Sequence, residues 1–181
     1  MKAKAIVIGL ILAFGIAVIV INAGKGDKAP RPPLVAEGVK APDVEVRDLS
    51  GNAWRLSARR GNVVLVNFWA SWCKECREEM PSLQGLYDRL KTNPDFEMVL
   101  IIYNEDPGES AEFMDENNYT MPIYVDPGGA AARSFGLTGV PETYVVAKDG
   151  ILRKKIIGPA DFTKPGAADF IVRLIEGEEG A

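Results

Sequence analysis

Cys73 and Cys76, separated by two residues, are the only cysteines of this 181-residue chain. They lie in the stretch NFWASWCKECREEMP, residues 67–81. A pair at this spacing can be a redox-active dithiol, part of a metal site, a haem attachment point or a small structural disulfide. The neighbouring residues, and the elements that carry the pair, decide between these possibilities.

Each alternative to redox chemistry lacks something that it needs. A c-type haem site needs a histidine directly after the second cysteine, where this chain has Arg77. A structural zinc site needs four ligands, and one chain offers two thiols and no histidine, so zinc would have to be shared between two chains. An inert disulfide would close a very short loop, which adds the least stability. Thiol–disulfide exchange is therefore favoured, with the shared zinc site and the inert disulfide as alternatives.

The flanking segments place the pair at the start of a helix. Residues 62–70, NVVLVNFWA, form a nearly continuous apolar run that is typical of a strand buried on both faces. The residues after the cysteines have the apolar spacing of a helix, which Ser71 or nearby backbone could cap. Unpaired N–H groups and the helix dipole stabilise a thiolate there. We therefore expect Cys73 to be the nucleophile and Cys76, one turn further in, to resolve the mixed disulfide.

The remaining pattern predicts an α/β domain with three layers. After the strand at residues 43–49 and its hairpin, the order is strand–helix–strand–helix–strand–helix–strand–strand–helix. Strands that alternate with helices imply a parallel core covered by helices on both faces. The last two strands, joined by the turn at residues 148–150, add an antiparallel edge. A net charge of −4 argues against nucleic acid as a partner.

The N-terminal residues predict a membrane anchor over 1–23. Two lysines precede an apolar run at 5–21, which spans roughly 25 Å as a helix and is close to the lower limit for a bilayer core. A cleaved signal peptide and a buried helix of a soluble domain are the alternatives, although the best cleavage site has a bulky residue at its −3 position. Residues 24–40, rich in Gly, Pro and Lys, predict an extended linker. The positive-inside rule then leaves the N-terminus in the cytoplasm and the domain, residues 41–181, outside it.

The stretch VVLVNFWASWCKECREEMP resembles the active-site segment of the TlpA/ResA/CcmG group of thioredoxin-like proteins. The resemblance covers residues 41–176 and includes APDVEVRDLSGNAWRLSARRGN before the cysteines and GVPETYVVAKDG after them. It implies a thioredoxin-like fold with a mixed central sheet, helices on both faces, an N-terminal strand extension and a central inserted helix–strand unit.

The resemblance also implies a function. Members of this group are membrane-tethered thiol–disulfide oxidoreductases that act outside the cytoplasm and need no bound cofactor. They commonly keep the cysteines of client proteins reduced, either for cytochrome c maturation or for oxidase copper-site assembly. A membrane electron donor of the CcdA/DsbD type recharges them.

Three residues near the cysteines are candidates for client binding. The resemblance implies a cis peptide bond between Val140 and Pro141, packed beside the cysteines, with the backbone of Val140 offered to a client strand. A plain turn before a strand is the alternative for Pro141. Trp72, next to Cys73, is either part of a docking surface or part of the core.

Two further residues bear on proton transfer. In ResA-like members an acid at the position of Glu79 influences the ionisation of the cysteines, and Glu79 could also carry a proton. A solvated surface charge is the alternative. Asn67 occupies a position where thioredoxins commonly carry a buried Asp, and it cannot titrate. Glu79 would then be the group that carries the proton. Asn67 would either assist this proton transfer or be a buried amide whose hydrogen bonds are all satisfied.

Three other functions on related folds are less favoured. A peroxidase of the peroxiredoxin class needs a Thr three residues before its cysteine, where this chain has Ala70. A copper chaperone of the Sco type needs a C-x-x-x-C pair and a distant histidine, and the sequence has neither. A non-catalytic binding module on a thioredoxin fold stays an alternative.

Overall fold

The computed structural model describes residues 35–178. The predicted anchor at 1–23, and the linker up to residue 34, lie outside the described residues and stay predictions. Within the described part of the chain, no helix is both long enough and apolar enough to cross a membrane.

Seven strands and four α-helices occur within residues 35–178. In chain order they are β1 (Glu45–Asp48), β2 (Ala53–Arg55), β3 (Val63–Trp69), α1 (Lys74–Leu90), β4 (Phe96–Ile102), α2 (Pro107–Glu116), β5 (Ile123–Val125), α3 (Ala130–Ser134), β6 (Glu142–Val146), β7 (Leu152–Ile157) and α4 (Ala167–Glu176). From β3 onward this order confirms the predicted alternation of strands and helices.

One mixed sheet contains all seven strands in the order β2-β1-β5-β4-β3-β6-β7. Strands β3, β4 and β5 are parallel, and the hairpins β6–β7 and β1–β2 make both edges antiparallel. All seven residues of β3 are buried between β4 and β6. The continuous apolar run that predicted this strand therefore corresponds to its central position, where side chains on both faces are covered.

Two apolar clusters cover the two faces of the sheet and make the domain three-layered. Val63, Leu65 and Trp69 of β3 pack with the apolar faces of α1 and α4. Val64, Val66 and Phe68 pack on the other face with residues of α3 and β6. Because successive side chains of a strand point to opposite faces, Asn67 faces α1.

The end of the predicted linker is bound to the sheet. The N–H of Gly38 donates to the carbonyl of Leu152 (2.8 Å), and Lys40 forms a β-bridge with Ile151. The Glu37 carboxylate accepts a hydrogen bond from the N–H of Lys155 (3.0 Å). Contacts with β7 thus begin a few residues before position 41.

Candidate active site

The two cysteines lie where the central strand β3 leads into α1. Cys73 is the N-cap residue of α1, with an extended backbone, and Cys76 lies in the first helical turn. A disulfide joins them, with their Cα atoms 5.2 Å apart. The N–H of Cys76 donates to Sγ of Cys73 over 3.1 Å. When the disulfide opens, this N–H and the helix dipole stabilise a thiolate on Cys73.

The two sulfurs differ in their access to solvent. Cys73 keeps 4% of its surface exposed and Cys76 keeps none, whereas Trp72 beside them is 56% exposed. Cys73 is therefore the cysteine nearer the surface, next to the exposed Trp72. This difference fits the roles expected from the sequence, with Cys73 as nucleophile and Cys76 as resolving cysteine. It also places Trp72 at the surface rather than in the core.

Ser71 does not cap α1, whose N-cap residue is Cys73. Ser71 is instead bound by the carboxylate of Glu105. Its N–H lies 3.0 and 3.1 Å from the two carboxylate oxygens of Glu105, and its hydroxyl donates to the same group. The hydroxyl of Ser110, on α2, also donates to Glu105. Glu105 thus ties the loop before Cys73 to α2. Sequence reasoning missed this residue, whose one signal is its place shortly after the parallel strand β4.

The loop before β6 lies against the cysteines. The peptide bond between Val140 and Pro141 is cis, as the resemblance implies. The carbonyl oxygen of Val140 lies 3.6 Å from Sγ of Cys73, and Pro141 is buried. The structure thus brings the Val140 carbonyl next to Cys73, with the buried Pro141 directly after it in the chain.

Glu142 holds this loop in place and was also missed from the sequence. Its buried carboxylate accepts hydrogen bonds from the N–H of Thr138 (3.0 Å) and from the hydroxyls of Thr138 and Tyr144, and pairs with Nζ of Lys155 (3.5 Å). Burial alone would raise the pKa of Glu142, but these hydrogen bonds and the charge of Lys155 outweigh it and hold the pKa below its usual value. Only its position in the GVPET stretch could have pointed to it.

Glu79 is a buried acid one helical turn beyond Cys76, not a solvated surface charge. It is 2% exposed. One carboxylate oxygen accepts from Nδ2 of Asn67 (2.8 Å) and the other from the N–H of Ala160 (3.0 Å). Burial raises the pKa of Glu79 from 4.5 to about 7, although the hydrogen bonds from Ala160 and Asn67 oppose the shift. The acid can therefore take up and release a proton near neutral pH.

Asn67 is only half satisfied as a buried amide. Its Nδ2 donates to Glu79 and to the hydroxyl oxygen of Thr143 (2.9 Å). Its Oδ1 is buried and has no hydrogen-bond partner within residues 35–178.

Over the same residues, His, Cys, Asp and Glu side chains form no group of three or more that could hold a metal ion.

Residues 38–155 match the family model described as AhpC/TSA family. The chain belongs to the AhpC/TSA family. A relative is the thiol-disulfide oxidoreductase ResA of Geobacillus thermodenitrificans (strain NG80-2), 33% identical over 124 residues that cover 68% of this chain and 71% of the relative. The thioredoxin-like protein YneN of Bacillus subtilis (strain 168) is 32% identical over 129 residues, or 68% of this chain and 73% of YneN.

The fold is also similar to that of a solved structure. A thiol:disulfide interchange protein of the thioredoxin family from Chlorobium tepidum TLS has a TM-score of 0.63 and 25% identity, over 80% of this chain and 99% of that protein. The fold and the enzyme class expected from the sequence, a thioredoxin-like thiol–disulfide oxidoreductase, are confirmed.

Proposed function

We propose that this protein reduces disulfides of client proteins outside the cytoplasm, tethered to the membrane by its N-terminal residues. One juxtaposition carries the proposal. Cys73 at the start of α1 has the Val140 carbonyl 3.6 Å from its sulfur. The buried acid Glu79, with a pKa of about 7, lies one turn beyond Cys76.

The first step is attack by the Cys73 thiolate on one sulfur of a client disulfide. A bond forms between Cys73 and that sulfur, the client disulfide breaks, and the second client sulfur leaves as a thiolate that takes up a proton. The backbone next to the cis peptide bond can pair with an extended client strand on either side of its cysteine. The exposed indole of Trp72 lies on the adjoining surface.

The second step releases the client. Cys76 transfers its thiol proton to the carboxylate of Glu79 and attacks Sγ of Cys73, which re-forms the Cys73–Cys76 disulfide. The remaining client sulfur leaves as a thiolate and is protonated. Two electrons have then passed from the enzyme dithiol to the client. Of the two protons that the client thiols gain, one balances the proton released when Cys73 ionised, and the other comes from Glu79, which returns to its ionised form. A dithiol donor must reduce the enzyme again before the next cycle.

The resemblance to the TlpA/ResA/CcmG group supports specific partners. The clients would be apocytochrome c or a protein of oxidase copper-site assembly, and the donor a membrane protein of the CcdA/DsbD type. The apolar run at residues 5–21 supports a single-pass anchor with the domain on the outer side of the membrane.

Trapping the mixed disulfide tests the roles of the two cysteines. In intact cells, Cys76→Ser should accumulate a covalent complex between Cys73 and a client, because the resolving thiol is gone. Cys73→Ser, which keeps the other thiol and the same fold, is the matched control and should trap nothing. Absence of a complex with Cys76→Ser, or an equal yield with Cys73→Ser, would contradict the assignment.

The midpoint potential of the Cys73–Cys76 couple tests the direction of electron flow. Fluorescence of Trp72 and Trp69 in a thiol redox buffer reports the disulfide. A value near that of thioredoxin, about −270 mV, would support a reductant. A value near about −120 mV, as in a strong oxidant, would overturn the proposed direction.

A further inference from the structure

The unpaired amide oxygen of Asn67 is unusual for a buried polar atom. Its side chain is fully buried on the central strand, facing α1. Both donors of Nδ2 are used, towards Glu79 and Thr143, while Oδ1 has no partner in the part of the chain that the structure describes. Oδ1 is therefore an acceptor beside the active-site acid that no donor in the described residues uses.

The present contacts suit the ionised form of Glu79 best. Each of its carboxylate oxygens faces an N–H donor, one from Asn67 and one from the backbone of Ala160. That arrangement stabilises the ionised carboxylate. The neutral acid, which is also populated near neutral pH, has an O–H that needs an acceptor instead.

Asn67 itself carries the missing acceptor. The amide nitrogen and oxygen are nearly the same size, so a half turn about the last side-chain bond places Oδ1 where Nδ2 was. Oδ1 would then accept from the O–H of Glu79. The Ala160 N–H is part of the backbone and cannot exchange donor for acceptor in this way.

Thr143 is compatible with both orientations of the amide. Its hydroxyl accepts from Nδ2 of Asn67 in the present structure, over 2.9 Å. A hydroxyl can equally donate, so after the half turn the same group would donate to Oδ1. Each of the three side chains, Glu79, Asn67 and Thr143, can therefore exchange its hydrogen-bonding role without moving its backbone.

We infer that Asn67 is a positioning residue whose side-chain amide turns over when Glu79 takes up a proton, donating to the carboxylate and accepting from the neutral acid. The inference rests on the proposed function, in which the proton comes from Cys76. By serving both states, the amide lets Glu79 receive that proton and release it again within one turnover.

The other groups that face Glu79 do not offer this exchange. Three ionisable groups line the same cavity as Glu79, namely Glu78 on its own helix and Asp161 and Lys164 on the loop after β7. Cys76, on the same helix, does not titrate while it is disulfide-bonded. Lys74 pairs with Glu78 (3.4 Å), and Lys164 lies 4.0 Å from Asp161. The cavity that Glu79, Asp161 and Lys164 line has a volume of about 450 Å³. From the sheet, β3 and β6 present the neutral side chains of Asn67 and Thr143.

Nuclear magnetic resonance of the oxidised, isotope-labelled protein tests the inference. The Nδ2 protons of Asn67 should show nuclear Overhauser contacts to Thr143 above the pKa of Glu79 and lose them below it. The pH midpoint of this loss should equal the midpoint at which the chemical shift of the Glu79 carboxyl carbon titrates. Glu79→Gln offers an amide donor at every pH, so it should show the low-pH pattern throughout. Glu78→Gln, on the same helical turn, is the matched control and should titrate like the wild type.

Two outcomes would overturn the inference. One is a pattern of Asn67 contacts that does not change with pH. The other is a pattern in Glu79→Gln equal to that of the ionised wild type. Turnover of a disulfide-containing peptide by the same variants tests the proposed function separately. Glu79→Gln should slow release of the peptide about 100-fold. An unchanged rate would refute the role of Glu79 as proton acceptor, whatever the amide does.

Discussion

Glu79 should make the folding stability of this protein fall as the pH rises towards neutrality. Its pKa is 4.5 as an ordinary Glu and about 7 in the folded protein, because burial disfavours the charge. The folded state therefore binds the proton more tightly than the unfolded chain. The stability gained from the neutral acid is fully present below pH 4.5 and is lost as the pH rises through about 7. Each unit of difference between the folded and unfolded pKa corresponds to roughly 1.4 kcal/mol. The shift from 4.5 to about 7 therefore amounts to a loss of about 3 kcal/mol.

Glu79→Gln isolates this contribution because it keeps the shape of the side chain and removes the titration. Urea unfolding of the oxidised protein at a series of pH values from about 4 to about 8 measures the free energy of unfolding. Other carboxylates titrate in both proteins, so the quantity to follow is the difference between wild type and variant. That difference should change by about 3 kcal/mol over the range, in the direction that favours the variant at high pH.

Glu78→Gln is the control for this experiment. It removes an exposed carboxylate from the same helical turn and should leave the pH dependence of the wild type unchanged. Parallel curves for wild type and Glu79→Gln over the whole range would refute the reasoning, because they would mean that Glu79 titrates alike in the folded and unfolded protein.

Three further changes test other parts of the site. Trp72→Ala removes an exposed side chain, so it should raise KM for client disulfides and change the free energy of unfolding by less than about 0.5 kcal/mol; an unchanged KM would count against a docking role. Glu142→Ala leaves Lys155 without its buried partner and should lower the free energy of unfolding by about 3 kcal/mol; a loss below about 1 kcal/mol would contradict this. Glu105→Ala frees the N–H of Ser71, whose hydrogen exchange should become about tenfold faster or more; equal protection would show that the loop is held by other contacts.

Local pattern was enough to predict the framework of the domain. The apolar run of β3, the helix that follows the cysteines and the β6–β7 hairpin all depend on periodicity and turn residues over short stretches, and all are found in the structure. The position of Cys73 at the start of α1, which explains its reactivity, follows from the same local signals. The anchor over residues 1–23 rests on the sequence alone and stays a prediction.

The sequence pattern could not show which acidic side chains are buried. Glu78 and Glu79 are adjacent and chemically identical, yet Glu78 is exposed and Glu79 is 2% exposed. The groups that bind Glu79 come from Asn67 and Ala160, which are 12 and 81 positions away in the chain. Glu105 and Ser71 are likewise separated by 34 positions. A pKa and a hydrogen-bond network depend on which distant segments pack around a group.

The sequence by itself thus determined the chemistry: one dithiol, at a helix start, on a thioredoxin-like framework. Only the tertiary structure decided which acid is placed to exchange protons near the cysteines and which contacts hold the neighbouring loops. It buries Glu79 and Asn67 together, holds the cis Pro141 loop through Glu142, and brings the Val140 carbonyl to Cys73. The physical reason is that desolvation and hydrogen bonding act through space, between residues that the order of the chain does not place together.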